Sequence, residues 1–244
     1  MIRRTMDAGF VNALANRPDI RPYIGGGLEA LDLTSVVENP ENYVIQADGG
    51  CWILHALTPG AFELHTLFAT EGRGRSYFGN AREAIRWMFT HTDAIEILTK
   101  CPDDNPGARM AAVLCGFKER FRREDAWHTG VGIAYLVLTI DQWCFSDPET
   151  RKAGRAFHAA LEDAKKAAGS ELPSHPDDDA YDHAAGAAVL MGRARNLTKG
   201  LVYYNSWAVF AGYAPIRQLG PSLVDLHDAV VEVHDGEMHV LLTR

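Results

Sequence analysis

Between residues 43 and 69, three short apolar or alternating runs follow one another with only tight turns between them. The runs are residues 43–46, 51–57 and 62–69, and they are separated by Asp-Gly-Gly at residues 48–50 and Thr-Pro-Gly at residues 58–60. Such turn sequences between alternating runs are typical of β-hairpins. The pattern predicts a three-stranded antiparallel meander, which most constrains the fold of this chain.

Helical and strand-like segments flank the meander. Residues 5–16 and 30–38 predict two short helices before it, and each ends at an Asn- and Pro-containing sequence. After it, the apolar periodicity predicts the following elements: a helix at 81–90, a strand at 94–99, a helix at 105–115, and strands from Phe117 and at 133–140. We therefore expect an α+β fold with a mixed, mostly antiparallel sheet flanked by helices.

A change of composition near residues 146–148 predicts a second domain. Residues 148–168 predict one helix, and residues 180–212 predict two helices that meet near Gly200. A Pro- and Asp-rich linker occupies residues 172–179. The chain closes with two alternating runs around Asp235-Gly236, a strong hairpin signal. We expect domains at 1–145 and 146–244, the second helical and ending in a β-hairpin.

Composition excludes several classes of partner. The 244 residues carry a formal net charge of −8, and the basic run from Lys118 to Arg123 is interrupted by Glu119, which argues against a nucleic-acid-binding face. No apolar stretch approaches about 18 residues, so we expect no membrane partner. Neither the start of the chain nor its four separated cysteines suggests a signal peptide or a zinc ribbon. These features predict a cytoplasmic protein with reduced thiols.

A loop rich in glycine and arginine, residues 71–76, follows the third strand and precedes a helix. Backbone amides in such a loop and at a helix N-terminus bind anions without any side chain. The loop lacks the spacing of a P-loop and of a dinucleotide-binding loop. It predicts either a phosphate site or a turn with solvated arginines.

Two motifs stand in order along the predicted elements. The first is Glu63-Leu-His-Thr-Leu-Phe68, followed by Gly72-Arg-Gly-Arg75 and Gly79-Asn-Ala81. The second is Asn105-Pro-Gly-Ala108, with Gly116-Phe117 closing the helix. With the order of elements, these motifs resemble the GNAT (acyl-CoA N-acyltransferase) family over residues 1–145. Residues 17–22, 65–68 and 87–92 resemble phage-encoded members most, and the C-terminal residues also look phage-like.

The resemblance implies that acetyl-CoA lies in a wedge between two splayed central strands. By position, six residues would line its pyrophosphate: Arg73, Gly74, Arg75, Ser76, Phe78 and Gly79. Leu67 and Phe68 would offer backbone groups to the pantetheine and the thioester oxygen, and Asn105 would contact the pantetheine arm. The implied chemistry is direct attack of an amine on the thioester, with a base and an acid moving protons.

Glu63 and His65 are the candidate bases, because residues two apart on a strand share a face. A histidine titrates near neutral pH and suits the role; the alternative interpretation is that His65 is a half-buried strand residue hydrogen-bonded to backbone. The chain departs from the family at two positions. Ser76 stands where the family has Arg or Gln, and Ala112 stands where a tyrosine usually acts as the acid. Tyr77 and Tyr135 are possible substitutes.

Three other groups of residues carry weaker signals. Asp179 and His183 share a helix face and suggest either a metal pair or charges that favour the helix dipole; we expect no metal. Cys51 and Cys101 are weak candidates for a nucleophile. The aromatic residues of 203–213 suggest either core or a partner surface.

Two functions follow from the resemblance. One is an enzyme that transfers an acetyl group from acetyl-CoA to an amine. The other is a catalytically silent GNAT-fold bacteriophage protein, a virion, tail or assembly component, whose residues 146–244 attach to phage structural proteins or self-associate. The protein would then lie in the host cytoplasm or in the virion. Ala112 and Ser76 favour the second function, whereas the glycine-rich loop and Asn105 favour the first, at least for binding.

Overall fold

A computed structural model describes residues 1–24, 29–128, 130–167, 178–213, 215–218, 223–225, 229–234 and 237–243. The chain divides into two compact units. The first is Met1–Arg86 with Ala94–Ile140, and the second is Trp87–Asp93 with Asp141–Arg244. The domain boundary predicted after residue 145 stays a prediction.

The described part of the first unit contains seven strands and four helices. The strands are β1 Arg3–Thr5, β2 Tyr43–Ala47, β3 Gly50–Thr58, β4 Ala61–Phe68, β5 Glu96–Pro102, β6 Lys118–His128 and β7 Val131–Thr139. The helices are α1 Ala8–Ala15, α2 Thr34–Glu38, α3 Arg75–His91, whose end belongs to the second unit, and α4 Pro106–Leu114.

The seven strands form one sheet in the order β1-β2-β3-β4-β5-β7-β6. Every neighbouring pair is antiparallel except β4 and β5, which are parallel. The predicted α+β class, with a mostly antiparallel sheet flanked by helices, is confirmed. The β2-β3-β4 meander lies where the turn sequences predict it.

The N-terminus differs from the prediction of a helix over 5–16. Residues 3–5 form the edge strand β1, and Arg4 pairs with Ile45. Helix α1 begins only after Asp7, because the Asp7 carboxylate accepts the amide hydrogen of Phe10 at 2.9 Å and caps the first turn.

Helices α1 and α2 lie on one face of the sheet, and helices α3 and α4 lie on the other. Helices α1 and α2 pack against alternate residues of β2, β3 and β4, among them Val44, Ile53 and Leu67. The intervening residues Trp52 and Leu54 face α3 on the other side. This burial of both faces at the centre of the sheet fixes which side chains of β4 point to each side.

The second unit contains helices followed by a small sheet. The helices are α5 Ile140–Ser146, which begins at the last residue of the first unit, α6 Pro148–Ala167, α7 Asp179–Arg193 and α8 Leu197–Ala211. The strands are β8 Arg217–Gln218, β9 Leu223–Asp225, β10 Ala229–His234 and β11 Glu237–Thr243, in the order β11-β10-β9-β8. The predicted hairpin is confirmed as β10–β11. Its turn residues, Asp235 and Gly236, and nearly all of the predicted linker lie outside the described residues.

The predicted helix junction near Gly200 is wrong. The chain turns at residues 194–196, where Arg195 has a φ of 62°, and Gly200 lies inside α8. A Cβ at Gly200 would lie 2.9 Å from the carbonyl oxygen of Ala188, so the glycine allows α8 to approach α7 closely. The prediction of strand through residue 140 is also slightly long, because α5 begins there.

The aromatic residues of α8 separate into two groups. Tyr204 is buried in a core cluster with Ala184 and Ala208, and Trp207 and Tyr213 pack against it. Phe210, in contrast, is 92% exposed. The core interpretation therefore fits most of this aromatic group, and Phe210 stands apart from it.

Candidate active site

The parallel pairing of β4 with β5 stops early and opens a wedge. Residues 61–63 pair with residues 96–98, and no ladder pair joins the two strands beyond Glu63 and Leu98. Directly after the last ladder pair, the Thr99 hydroxyl donates a hydrogen bond to the carbonyl oxygen of Leu64 at 3.1 Å. A cavity of about 380 Å³ lies at this opening.

Small side chains form the walls of the cavity on the helix side. Ala81 and Ala84 of α3 and Ala108, Ala111 and Ala112 of α4 line it. Because alanine projects only a methyl group, the helices leave a slot between themselves and the splayed strands. Ala112 thus brings a methyl group, and no hydroxyl, to the wedge.

The loop between β4 and α3 is anchored by a close backbone contact. A Cβ on Gly72 would lie 2.8 Å from the carbonyl oxygen of Gly49, which also accepts the Ala69 amide at 2.9 Å. Only glycine permits this approach at position 72, since a larger residue would push the loop away from the β2–β3 turn.

Asp19 fixes the same loop from the other side. Its carboxylate accepts hydrogen bonds from the Thr70 amide at 2.8 Å and the Thr70 hydroxyl at 3.1 Å. Arg17 donates to it at 2.9 Å and also pairs with Glu71 at 3.1 Å. The Arg17 guanidinium and the Thr70 donors hold the pKa of Asp19 well below its usual range. Sequence reasoning missed this role, because Asp19 and Thr70 are 51 residues apart.

Arg73, predicted to line the pyrophosphate, holds the loop with part of its guanidinium. Its Nε donates to the Phe68 carbonyl at 3.0 Å and one Nη to the Asp19 carbonyl at 3.1 Å. The group also lies over the Tyr23 ring, 5.8 Å from the centroid. The Phe68 carbonyl is consequently engaged, whereas Leu67 is buried and lines the cavity.

The other predicted loop residues surround an open helix N-terminus. Gly74, Ser76 and Gly79 are exposed, and a Cβ on either glycine would meet nothing within 4 Å. The Phe78 ring packs edge-on against Tyr77 at 5.3 Å. Nothing is described for the side chain of Arg75. The start of α3 at residue 75 therefore leaves room beside its first amides for an anion.

Asn105 lies at the start of α4 and lines the cavity. Its side-chain oxygen accepts the Ala108 amide at 3.1 Å and caps the helix. Within the described part of the chain no hydrogen bond uses its Nδ2 group. The residue thus combines a structural cap with an amide donor at the cavity.

Glu63 and His65 meet on one face of β4, as the two-residue spacing predicts. His65 Nε2 lies 3.6 Å from Glu63 Oε1, and the Glu63 side chain is only 10% exposed. A residue that sequence reasoning missed completes the cluster: Lys100 of β5 donates from Nζ to Glu63 Oε2 at 2.8 Å. The buried carboxylate therefore bridges a lysine and a histidine.

The His65 ring is disposed to be neutral near pH 7. Partial burial lowers its pKa below the ordinary value of 6.5, Glu63 raises it, and Lys100 and His55 lower it further. Its side chain is 48% exposed, so one side of the ring faces solvent. A neutral, accessible imidazole next to a carboxylate can accept a proton and be stabilised once it has done so.

The two tyrosines considered as acids differ in position. Tyr77 lines the cavity, packs between Phe68 and Phe78, and burial raises its pKa. Tyr135 lies in β7 opposite Lys100 and stacks on Phe121 with ring centroids 4.3 Å apart. Tyr77 is thus the tyrosine nearer to the wedge.

The residues considered as metal ligands or nucleophiles are explained by structural contacts or by burial. Asp179 forms ion pairs with Arg151 and Arg155, and His183 Nδ1 lies 3.0 Å from the Thr150 hydroxyl. Burial raises the pKa of Cys51 to about 12, and that of Cys101, which lines the cavity, to about 11, so these thiols stay protonated at neutral pH. The described residues contain no group of three side chains suited to a metal ion.

Among the helices that the structure describes, none has the length and apolar character needed to cross a bilayer.

Known structures with a similar fold include several forms of one enzyme. A variant of spermidine N-acetyltransferase SpeG from Vibrio cholerae is 14% identical, with a TM-score of 0.49 and coverage of 59% of this chain and 96% of that chain. The same enzyme in complex with CoA and spermine is 17% identical, with a TM-score of 0.48 and coverage of 59% and 96%. No family model and no curated protein matches the sequence. At this identity the likeness concerns the fold alone.

Proposed function

We propose that the first unit binds acetyl-CoA in the wedge between β4 and β5 and transfers its acetyl group to an amine. The observation that carries this proposal is the end of β4–β5 pairing after Glu63 and Leu98. It opens a cavity that His65, two residues further along β4, also lines. Acetyl-CoA supplies the acyl group as a thioester. The acceptor amine attacks the thioester, and residues of this chain bind both substrates and move the proton.

The wedge offers the groups that a pantetheine chain needs. Beyond Glu63, β4 has no ladder partner in β5, so an extended ligand with amide groups can take the place of a neighbouring strand. Leu67 presents main-chain groups there, and Asn105 adds an amide donor. The exposed loop and the N-terminus of α3, with Gly74, Ser76 and Gly79, suit the pyrophosphate.

His65 is the proposed base. It accepts a proton from the amine, and the resulting imidazolium then faces the Glu63 carboxylate at 3.6 Å. Glu63 is less suited to this role, because it is buried and already accepts a hydrogen bond from Lys100. We therefore assign Glu63 to orienting and stabilising His65.

The leaving thiolate receives no proton from position 112, where the side chain is a methyl group. Thiols ionise near pH 8.5, so a thiolate is a good leaving group without an acid. Transfer is expected to be slower than in an enzyme with a tyrosine at this position.

The test is release of CoA from acetyl-CoA in the presence of a panel of primary amines. His65→Gln should lower kcat/KM by about 100-fold, a typical contribution of one general base, without weakening acetyl-CoA binding. His55→Gln, which changes an exposed histidine on the neighbouring strand, is the matched control and should retain activity. Equal rates for His65→Gln and wild type would exclude His65 as the base. If no amine in the panel stimulated the release of CoA, the proposed acetyl transfer would be refuted.

A second candidate function is attachment through the second unit, and one surface favours it. Val202, Val209 and Phe210 of α8 are 63%, 63% and 92% exposed, and residues seven and eight apart share a helix face. Together with the phage-like sequence, this face supports a bacteriophage structural or assembly role, through self-association or a virion protein. Light scattering of wild type and Phe210→Ser, and mass spectrometry of assembled virions, test it. A monomer absent from virions would contradict this role.

A further inference from the structure

A row of side chains crosses the sheet next to the proposed base. In the ladder, Phe121 of β6 lies opposite Tyr135 of β7, and Tyr135 lies opposite Lys100 of β5. If the β4–β5 register continued past Glu63 and Leu98, Lys100 would lie opposite His65. The row therefore leads from the His65 side of the wedge outward to Phe121.

An arginine lies above the outer end of this row. The Arg123 guanidinium is 5.5 Å from the centroid of Tyr135 and 5.8 Å from that of Phe121. The two rings are stacked, and Phe121 is 47% exposed, so they form an open aromatic platform. The guanidinium lies within 6 Å of both ring centroids, which favours its position beside the pair, while its N–H groups remain able to bind a ligand.

Arg123 differs from its charged neighbours on β6. Arg122 pairs with Asp103 and Glu119, whereas Arg123 forms no ion pair with any carboxylate that the structure describes. Lys100 already donates to Glu63, so the Arg123 guanidinium is the charge at the outer end of the row that is left for a ligand.

We infer that the acceptor amine carries a carboxylate, which Arg123 binds above the Phe121–Tyr135 platform while the amine lies at His65. This inference rests on the proposed acyl transfer, from which it takes the position of the amine. The guanidinium fork matches a carboxylate in two parallel hydrogen bonds. The fit is poor for a polyamine, since its far end would meet Lys100 and Arg123.

The separation sets the size of the substrate. His65 and Tyr135 lie on strands two places apart, and paired strands are about 4.8 Å apart, so amine and carboxylate should be at least about 10 Å apart across the open wedge. A fully extended peptide spans up to about 3.5 Å per residue, so three residues cover this distance. The amino terminus of a short peptide with a free carboxyl end therefore has the required form.

The test compares triglycine with triglycinamide, which differ only in the terminal carboxylate, and with spermidine. For the wild-type protein, KM for triglycine should be at least about tenfold lower than for triglycinamide, the scale of one charge-assisted contact. Arg123→Ala should abolish this difference, and Arg123→Lys should restore it only in part. Arg120→Ala, which removes an exposed arginine of the same strand, should leave the difference intact.

Binding of triglycine is measured separately by NMR titration without acetyl-CoA. Arg123-dependent binding with no acetyl transfer to any acceptor would refute the proposed function but keep the carboxylate site. Transfer that does not distinguish triglycine from triglycinamide, or that favours spermidine, would overturn this inference and leave the proposed function standing. Binding that Arg123→Ala does not weaken would overturn it as well.

Discussion

His65 Nε2 lies 3.6 Å from Glu63 Oε1, and Glu63 is held on its other side by Lys100 at 2.8 Å. The three side chains come from two strands that pair only up to this point. The opening of the wedge thus places a buried carboxylate between a cation and an accessible imidazole. The proposed chemistry depends on this arrangement.

The pH dependence of transfer should follow His65. Burial and Lys100 lower its pKa below 6.5, so kcat/KM should fall on acidification only below that pH. Lys100→Met removes a nearby positive charge and should raise the His65 pKa. The fall of kcat/KM on acidification should then begin at a higher pH. NMR titration of the His65 ring checks the direction without relying on activity. Lys152→Met, at an exposed lysine of the second unit, should not move it, and an unchanged pKa in Lys100→Met would contradict the electrostatic coupling.

Restoring a hydroxyl at position 112 should accelerate transfer. Ala112 lines the cavity, and Ala112→Tyr places a proton donor there. The rate of Ala112→Tyr should exceed that of Ala112→Phe by about tenfold or more, because general acid catalysis contributes at least this much. Ala112→Phe matches the bulk without the hydroxyl. Equal single-turnover rates for the two variants, both saturated with acetyl-CoA, would show that leaving-group protonation does not limit the reaction.

Asp19 should make the free energy of unfolding depend on pH in the acid range. Its pKa in the folded state is lowered, so its stabilising effect is complete above the unfolded pKa of about 3.9 and is lost progressively below it. The difference in urea midpoint between wild type and Asp19→Asn should therefore shrink from about pH 4 to pH 2. Asp163→Asn, at an exposed position, should show no such trend. A constant difference across this range would mean that the Arg17–Asp19–Thr70 contacts do not stabilise the fold.

Gly200→Ala should destabilise the second unit. The added Cβ would lie 2.9 Å from the Ala188 carbonyl and 3.1 Å from Met191 Cβ, so the helices must separate at a cost of about 1–3 kcal/mol. Gly107→Ala, whose Cβ has a single neighbour at 3.8 Å, should be neutral or stabilising. Chemical denaturation measures both free energies of unfolding. Equal stability of the two variants would contradict the close packing of α7 on α8.

Local patterns were enough to predict most elements of the first unit. Alternation and turn residues locate β2, β3 and β4, because each signal lies within the segment that it describes. The start of α3 at Arg75 was missed, since Gly74 and Gly79 interrupt the helical pattern around its first turn. Strand β1 was missed because three residues carry too little periodicity, and their pairing with β2 is a distant contact.

The candidate site was predictable only where its residues are close in sequence. The two-residue spacing of Glu63 and His65 is a local property of a strand, and their contact is present in the structure. Lys100 is 37 residues from Glu63, and its pairing depends on the parallel register of β4 and β5. Arg123 ends the basic run that begins at Lys118, and nothing in that run points to Tyr135. Its position above Tyr135 depends on the register of β6 with β7, which includes an irregularity.

Thermal unfolding with excess acetyl-CoA tests the central claim most directly. A ligand at about 100 times its Kd adds about 2.7 kcal/mol to the folded state, which raises the Tm of a domain of this size by about 5–10 °C. Wild type should show this rise, and Ala108→Trp, which fills the slot lined by α4, should not. No rise for wild type at millimolar acetyl-CoA, or an equal rise for both proteins, would contradict binding in the wedge.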